Sequence, residues 1–249
     1  MVSQVDTSTA AGGRRRRNRR GEGARLRSEL IEAARRLLAT AERESDLSIR
    51  AVTRAAGAAP QSFYLQFANL SELLYAVYSI EFEELRQVLA DAAGGFADPV
   101  ARLTAVCAAY CAYAGAHPAR YRVLTGVTGQ AHDEWAAAGR LPGAPAFALL
   151  RESVAAALAE RQRAAGRNGH RKAEPASADD RAGGGSPGLP AGPDPPDGPG
   201  APADLLAAVL WAALHGIVTL RADRPAFPWP PVDDMLGTLI ERLVTAEAG

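Results

Sequence analysis

Apolar residues recur along most of this chain at steps of three and four, the spacing of helices with one buried face. From Arg25 to Ala41 they are Leu26, Leu30, Ala33, Ala34, Leu37, Leu38 and Ala41, which predicts an amphipathic helix followed by a charged link, Glu42 to Asp46. Ser48 can cap a second helix through its hydroxyl, with Ile49, Val52, Ala55 and Ala56 on its inner face. Gly57 ends that helix, because glycine accepts the left-handed backbone of a sharp reversal. Pro60 then opens a third helix, to Phe67, at a first-turn position where the missing N–H costs nothing. Leu47, Phe63 and Phe67 supply anchors for a core. From Leu70 the period holds for about 20 residues, through Leu73, Leu74, Val77, Tyr78, Phe82, Leu85, Val88 and Leu89. A helix of that length spans about 30 Å and can join two parts of a molecule.

Gly94 to Pro99 interrupts the pattern. Helices are predicted again from Pro99 to Ala116, briefly after His117-Pro118, and from about Ala146 to Arg163, with a polar stretch from His132 to Trp135 in between. Residues 164–203 lose the pattern. Gly, Pro, Ser, Ala and charges fill them with almost no large apolar side chain, so they are expected to be a disordered loop set between folded helices. Two helices close the chain: Leu205 to Leu220, with Asp204 as the expected cap, and Val232 to about Ala246, joined by a Pro-rich turn that contains Phe227 and Trp229. The expected fold class is all-α.

The stretch from Ser48 to Phe67 predicts a helix, a glycine-containing turn and a second short helix, the pattern of a helix-turn-helix. Its second helix would turn Gln61, Ser62, Tyr64, Leu65 and Gln66 outward. Gln can pair with adenine, Ser and Tyr can bond phosphate, and Leu can touch a thymine methyl. On pattern alone, a small helical hairpin inside a helical core fits the same residues.

Composition and charge narrow the choice. Of 249 residues, 47% are hydrophobic and 6% aromatic. Net charge is zero, but residues 1–67 hold 13 Lys/Arg against 7 Asp/Glu, while the remainder holds 15 against 21. A basic front on an acidic body suits a protein that meets a polyanion with one end. Residues 1–23 carry Arg14 to Arg17, Arg19 and Arg20 without apolar period and are expected to be a disordered basic arm. Such an arm can lie along phosphates or be a solvated tail. No uninterrupted apolar run of about 20 residues stands out, and the N-terminus lacks the apolar core of a secretory signal, so the expectation is a cytoplasmic chain with no membrane partner.

No nucleophile–base–acid set, phosphate loop or dinucleotide fingerprint occurs, so no enzyme and no cofactor are expected. His117, His132, His170 and His215 share no metal-ligand spacing; His132, Asp133 and Glu134 read as exposed loop polars rather than a cation site, and no metal is expected. Cys107 and Cys111 share a helix face and read as buried small apolar residues rather than a redox switch.

The run from about Arg25 to Leu85 resembles the DNA-binding domain of the TetR family of transcriptional regulators. The resemblance rests on Leu47-Ser48-Ile49-Arg50-Ala51-Val52, Ala55-Ala56-Gly57, Pro60-Gln61-Ser62-Phe63-Tyr64, Phe67 and Ser71-Glu72-Leu73-Leu74. One position departs: where the family places a phosphate-touching Lys, this chain has Leu70. Trp211, His215 and Gly216, with Leu220 and the aromatic Pro turn, are similar to the C-terminal domain of a subgroup known by a Trp-His-Gly signature. The resemblance implies a helix-turn-helix domain over 24–69 and a helical regulatory and dimerisation domain over 70–163 and 204–247. It further implies a ligand-responsive repressor that binds a palindromic operator in double-stranded DNA as a homodimer. Gln61, Leu65, Gln66 and Arg50 would meet bases, and Ser48, Ser62 and Tyr64 phosphates. An effector of unspecified chemistry would sit among Tyr110, Tyr113, Trp135, Phe147, Trp211 and His215. The rival expectations are a helical protein-interaction module and a low-specificity DNA binder that relies on the Arg-rich arm.

Overall fold

The computed structural model describes residues 22–41, 46–126, 130–171 and 201–245, and all regular structure among them is helical. Residues 1–21 of the expected basic arm and most of the Gly/Pro-rich stretch, residues 172–200, lie outside the described residues, while Glu22 and Gly23, expected in the arm, belong to the first helix. The helices are α1 (Glu22–Thr40), α2 (Ile49–Ala55), α3 (Pro60–Phe63), α4 (Leu70–Gly94), α5 (Pro99–Ala116), α6 (Pro118–Thr125), α7 (Gln130–Ala137), α8 (Ala144–Arg171), α9 (Ala201–Asp223) and α10 (Val232–Thr245).

Two apolar cores share one long helix. The first, in the N-terminal head, gathers Leu30, Ala33, Ala34 and Leu38 of α1, Val52 of α2, Phe63 of α3, Phe67, and Leu73, Leu74, Val77 and Tyr78 of α4. The second, in the C-terminal body, gathers Leu85 and Leu89 of α4 with the inner faces of α5, α8, α9 and α10. α4, 25 residues and about 37 Å long, therefore serves the head with its first half and the body with its second. The cores do not divide at residue 70. Val123 of α6 and Trp135 of α7 also enter the head core.

Where the helices differ from expectation, the cause is local. α2 buries Val52 and Thr53 and leaves Ala55 exposed, because Thr53 satisfies its hydroxyl on the Ile49 carbonyl at 2.9 Å and so can face inward. His132 to Trp135 fall inside helix α7, where Trp135 anchors in the head core. α8 runs to Arg171, eight residues past Arg163, and Arg167 in this added stretch pairs back to Glu160 at 3.0 Å. α9 starts at Ala201, so Asp204 sits in its first turn and pairs with Arg151 of α8 at 3.7 Å rather than capping. The turn into α10 is pinned by Arg221 Nη1 donating to the Pro230 carbonyl, 2.7 Å, and by Trp229 Nε1 donating to the Arg224 carbonyl, 3.0 Å.

Candidate nucleic-acid interface and the joint behind it

The helix-turn-helix is built as its residues dictate. Ser48 takes an extended backbone and its Oγ accepts the Ala51 N–H at 3.2 Å, which leaves its own O–H free to donate outward. Gly57 has φ +65°; a Cβ there would meet nothing within 4 Å, so the backbone angle alone demands glycine. Ala59 is extended and offers no side-chain cap, and Pro60 fills the first turn.

α3 is one turn long, shorter than the expected Pro60–Phe67. After Phe63 the chain continues as tight turns, with the Leu65 N–H on the Ser62 carbonyl, 3.3 Å, and the Gln66 and Phe67 N–H groups on the Phe63 carbonyl, 2.9 and 3.0 Å. Phe63 and Phe67 both point inward, and keeping both buried four residues apart fixes the segment against the head core. Of the residues expected to face outward, Gln61, Tyr64 and Leu65 are exposed, the last two by 62% and 70%, while Ser62 and Gln66 are half-buried. Arg50, at the start of α2, is exposed too. Leu70 packs against the head core, so the position that differs from the resembled pattern serves burial here.

The six residues expected to form an interior ligand site fall into three places. Tyr110 and His215 belong to a buried hydrogen-bonded chain through Tyr121: Tyr110 OH to Tyr121 OH is 3.1 Å, and Tyr121 OH to His215 Nδ1 is 2.7 Å. Burial pushes both tyrosine hydroxyls above their ordinary range, so they stay protonated as hydrogen-bonding groups. Phe147 and Trp211 stack loosely next to this chain, with ring centroids 5.7 Å apart, and the Trp211 indole also bears on the Tyr110 hydroxyl. Tyr113 faces elsewhere, toward a charged cluster. Trp135 is in the head core, packed edge-on against Tyr75 and Tyr78, with its Nε1 donating to Ser71 Oγ at 3.0 Å.

The charged cluster lies at the joint between head and body. Glu81 of α4 is 1% exposed, between the two cores. Its Oε1 pairs with Arg35 of α1 at 2.5 Å, and its Oε2 with Arg120 of α6 at 3.6 Å. Glu84 pairs with both arginines as well. Arg122 donates to the Ala39 carbonyl at the end of α1, 3.0 Å. α6 thus grips α1 with Arg122 and α4 with Arg120, while Tyr121 between them bonds into the body. Further along, Arg140 reaches back to Glu72, 3.3 Å, and lies 4.1 Å over the ring of Tyr75.

Sequence reading singled out none of Arg35, Glu81, Arg120 or Arg122, and it placed Tyr121 without a role. One signal was available: Glu81 falls on the stripe of Leu74, Val77, Tyr78 and Leu85, where a carboxylate has to find a partner. The partners lie 46 and 39 residues away, which no local pattern encodes. Among the described residues no three His, Cys, Asp or Glu side chains converge on a metal-sized site. Cys107 and Cys111 are free thiols, one buried and one half-buried.

Comparison with known proteins gives the same architecture. The family described as "Tetracyclin repressor-like, C-terminal domain" matches residues 103–246, more than half of the chain. Among solved structures, a protein of unknown function from Rhodococcus sp. RHA1 is 21% identical with a TM-score of 0.55, over 88% of this chain and 93% of that one. A TetR family transcription regulator from Marinobacter aquaeolei VT8 is 12% identical with a TM-score of 0.52, over 91% and 97%. The transcriptional regulator FadR from Bacillus subtilis, solved with stearoyl-CoA, is 12% identical with a TM-score of 0.55, over 88% and 97%. At these identities the likeness is one of fold. A comparison with curated protein sequences returned no match.

Proposed function

The chain belongs to the tetracyclin repressor-like C-terminal domain family, and from that premise we propose that it is a sequence-specific DNA-binding transcriptional regulator, a ligand-responsive repressor that acts as a homodimer. The observation that carries this reading is the exposed face of Gln61 on α3 and of Tyr64 and Leu65 in the turns after it, a segment whose other side is locked by Phe63 and Phe67. That face offers an amide for a base edge, a phenol for phosphate and an apolar tip for a thymine methyl. Ser62, Gln66, Arg50 and Ser48 flank it.

Two copies are favoured by the outer face of α9. Leu205, Ala208, Val209, Ala212, Gly216 and Leu220 recur at steps of three and four, and the leucines and Val209 are exposed by 45% or more. Ala203, Ala207, Leu210, Leu214 and Ile217 on the opposite side are buried in the body core. Apolar on both sides, residues 202–223 also match a membrane span in length and composition, with a mean hydropathy of 1.8. A second copy laid against the outer face buries the same surface without removing α9 from its core, and gives a two-fold dimer suited to a palindromic operator. Trp211, His215 and Gly216 on this helix keep the Trp-His-Gly subgroup as the proposed branch of the family.

Ligand response is supported by α6. The Tyr110–Tyr121–His215 chain supplies hydrogen-bonding groups among apolar neighbours, a setting for a largely uncharged small molecule. A ligand that prefers one placement of α6 shifts Arg120 and Arg122, and with them the seating of the head.

Selection of tight-binding duplexes from a random DNA pool, with the purified full chain at about physiological salt, tests the reading. Recovery of a palindrome is the expected result. Recovery of unselected DNA overturns it in favour of low-specificity binding through the arginine-rich arm, and no retained DNA at all in favour of a protein-interaction role.

A further inference from the structure

Beyond the anchors Phe63 and Phe67, the base-reading segment has little regular structure of its own. α3 is a single turn, its N-cap Ala59 contributes no side-chain hydrogen bond, and past Phe63 it runs out through turns to Phe67. Isolated helices this short do not persist in water. The orientation of Gln66, at the far end of the segment, therefore depends on what touches it from elsewhere.

That contact comes from the first turns of α1. Arg27 Nη1 donates to the Gln66 carbonyl at 3.1 Å, across 39 residues of sequence. The same guanidinium lies 4.3 Å over the ring of Phe67, the next residue. One turn earlier on the same face is Gly23, where a Cβ would stand 3.6 Å from Gln66 Nε2. The backbone of Gln66 is thus tied to α1, and its side-chain amide lies near Gly23 of the same helix. The arginine is suited to this double duty, because its planar group can stack on a ring and donate in its own plane at once.

We propose that Arg27 is a positioning residue for DNA sequence recognition: it fixes the end of the reading segment through the Gln66 carbonyl and the Phe67 ring, and so sets which base Gln66 and its neighbour Leu65 meet. This rests on the DNA-reading function proposed above. Arg27 acts through the protein: one of its five N–H groups is committed to the Gln66 carbonyl and its plane to the Phe67 ring, and the salt slope of binding reads whether the other donors reach phosphate. A substitution here shifts sequence preference rather than overall electrostatic attraction.

The test compares Arg27→Met with the unmodified chain. Methionine keeps an apolar stem against Phe67 and removes every donor. Binding is measured to the selected duplex, to single-base variants of it and to unrelated DNA, across a range of salt. The expected result is an approximately tenfold loss on the selected duplex, unchanged affinity for unrelated DNA and an unchanged salt slope. The positions whose discrimination collapses should be those that Gln66→Ala also flattens, with the double substitution no worse than either alone. A fall in affinity for all duplexes alike, with the salt slope reduced by about 0.9 as for one lost phosphate contact, overturns the proposal, as does no change at all. Unaltered thermal melting of Arg27→Met excludes simple unfolding; if the midpoint falls, Arg27→Lys, which retains the charge and three donors but not the planar group, is expected to restore the melt and part of the sequence preference, and equal preference in Lys and Met variants overturns the proposal. An unmodified chain that shows no sequence preference overturns the DNA-reading function itself, a separate outcome.

Discussion

Tyr64 and Gln61 have little to do for the fold. Both are exposed, and Tyr64 meets the core edge-to-face at Phe63, 5.5 Å between centroids. Replacing Gln61 or Tyr64 with Ala is expected to weaken binding to the selected duplex by about 1–3 kcal/mol while the thermal midpoint stays nearly unchanged; band-shift titration beside a melt separates the two. Buried thiols behave in the opposite way. Burial pushes Cys107 from 9.0 up to about 12 and Cys111 up to about 11. Between pH 9 and those values the folded chain keeps protons that the unfolded chain has lost, so stability is full below pH 9 and falls as pH rises. At pH 10 the loss from Cys107 is about 1 kcal/mol. Urea unfolding at pH 7 and pH 10 should show a smaller drop for Cys107→Ala than for the unmodified chain.

Among the elements, α6 has the most consequence for its length. Its eight residues bond to α1, α4, α5 and α9 through Arg120, Tyr121 and Arg122. Removing one partner of a buried ion pair costs stability, so Arg35→Ala, which strips Glu81 of its shorter contact and leaves it only the longer one to Arg120, is expected to cost about 3 kcal/mol in urea unfolding. Arg120→Ala should cost less, since its longer contact to Glu81 leaves the Arg35 bond intact. Equal costs would mean that the two arginines hold Glu81 equally. Helix positions were legible in the sequence because periodicity, Pro at first turns and Gly57 are local signals. The short extent of α3 was not: Phe63 and Phe67, four apart, would share one face of a continuous helix just as well, and no local residue marks the stop after Phe63.

At the scale of the whole molecule, the proposed dimer rests on the outer face of α9. Val209→Glu with Leu205→Glu places two charges on that face without entering the body core, and sedimentation is expected to find monomers where the unmodified chain gives dimers. Binding to a duplex with two half-sites should fall far more than binding to one half-site, because the second site loses its tethered partner. A dimer that survives both charges would move the interface elsewhere on the body.

The sequence alone determined the helical class, the order of the helices, the cap at Ser48, the reversal at Gly57 and the outward Gln61, Tyr64 and Leu65, all of which follow from patterns spanning a few residues. It could not determine which side chains meet across 39 to 94 residues. Tertiary packing decided that Arg27 holds Gln66, that Glu81 is shared by Arg35 and Arg120, that Tyr121 joins Tyr110 to His215, and that Trp135 serves the head and Tyr113 the joint rather than one interior site. The reason is physical: helix period fixes which face of a helix is buried, but the angle and depth at which two faces meet depend on every side chain between them.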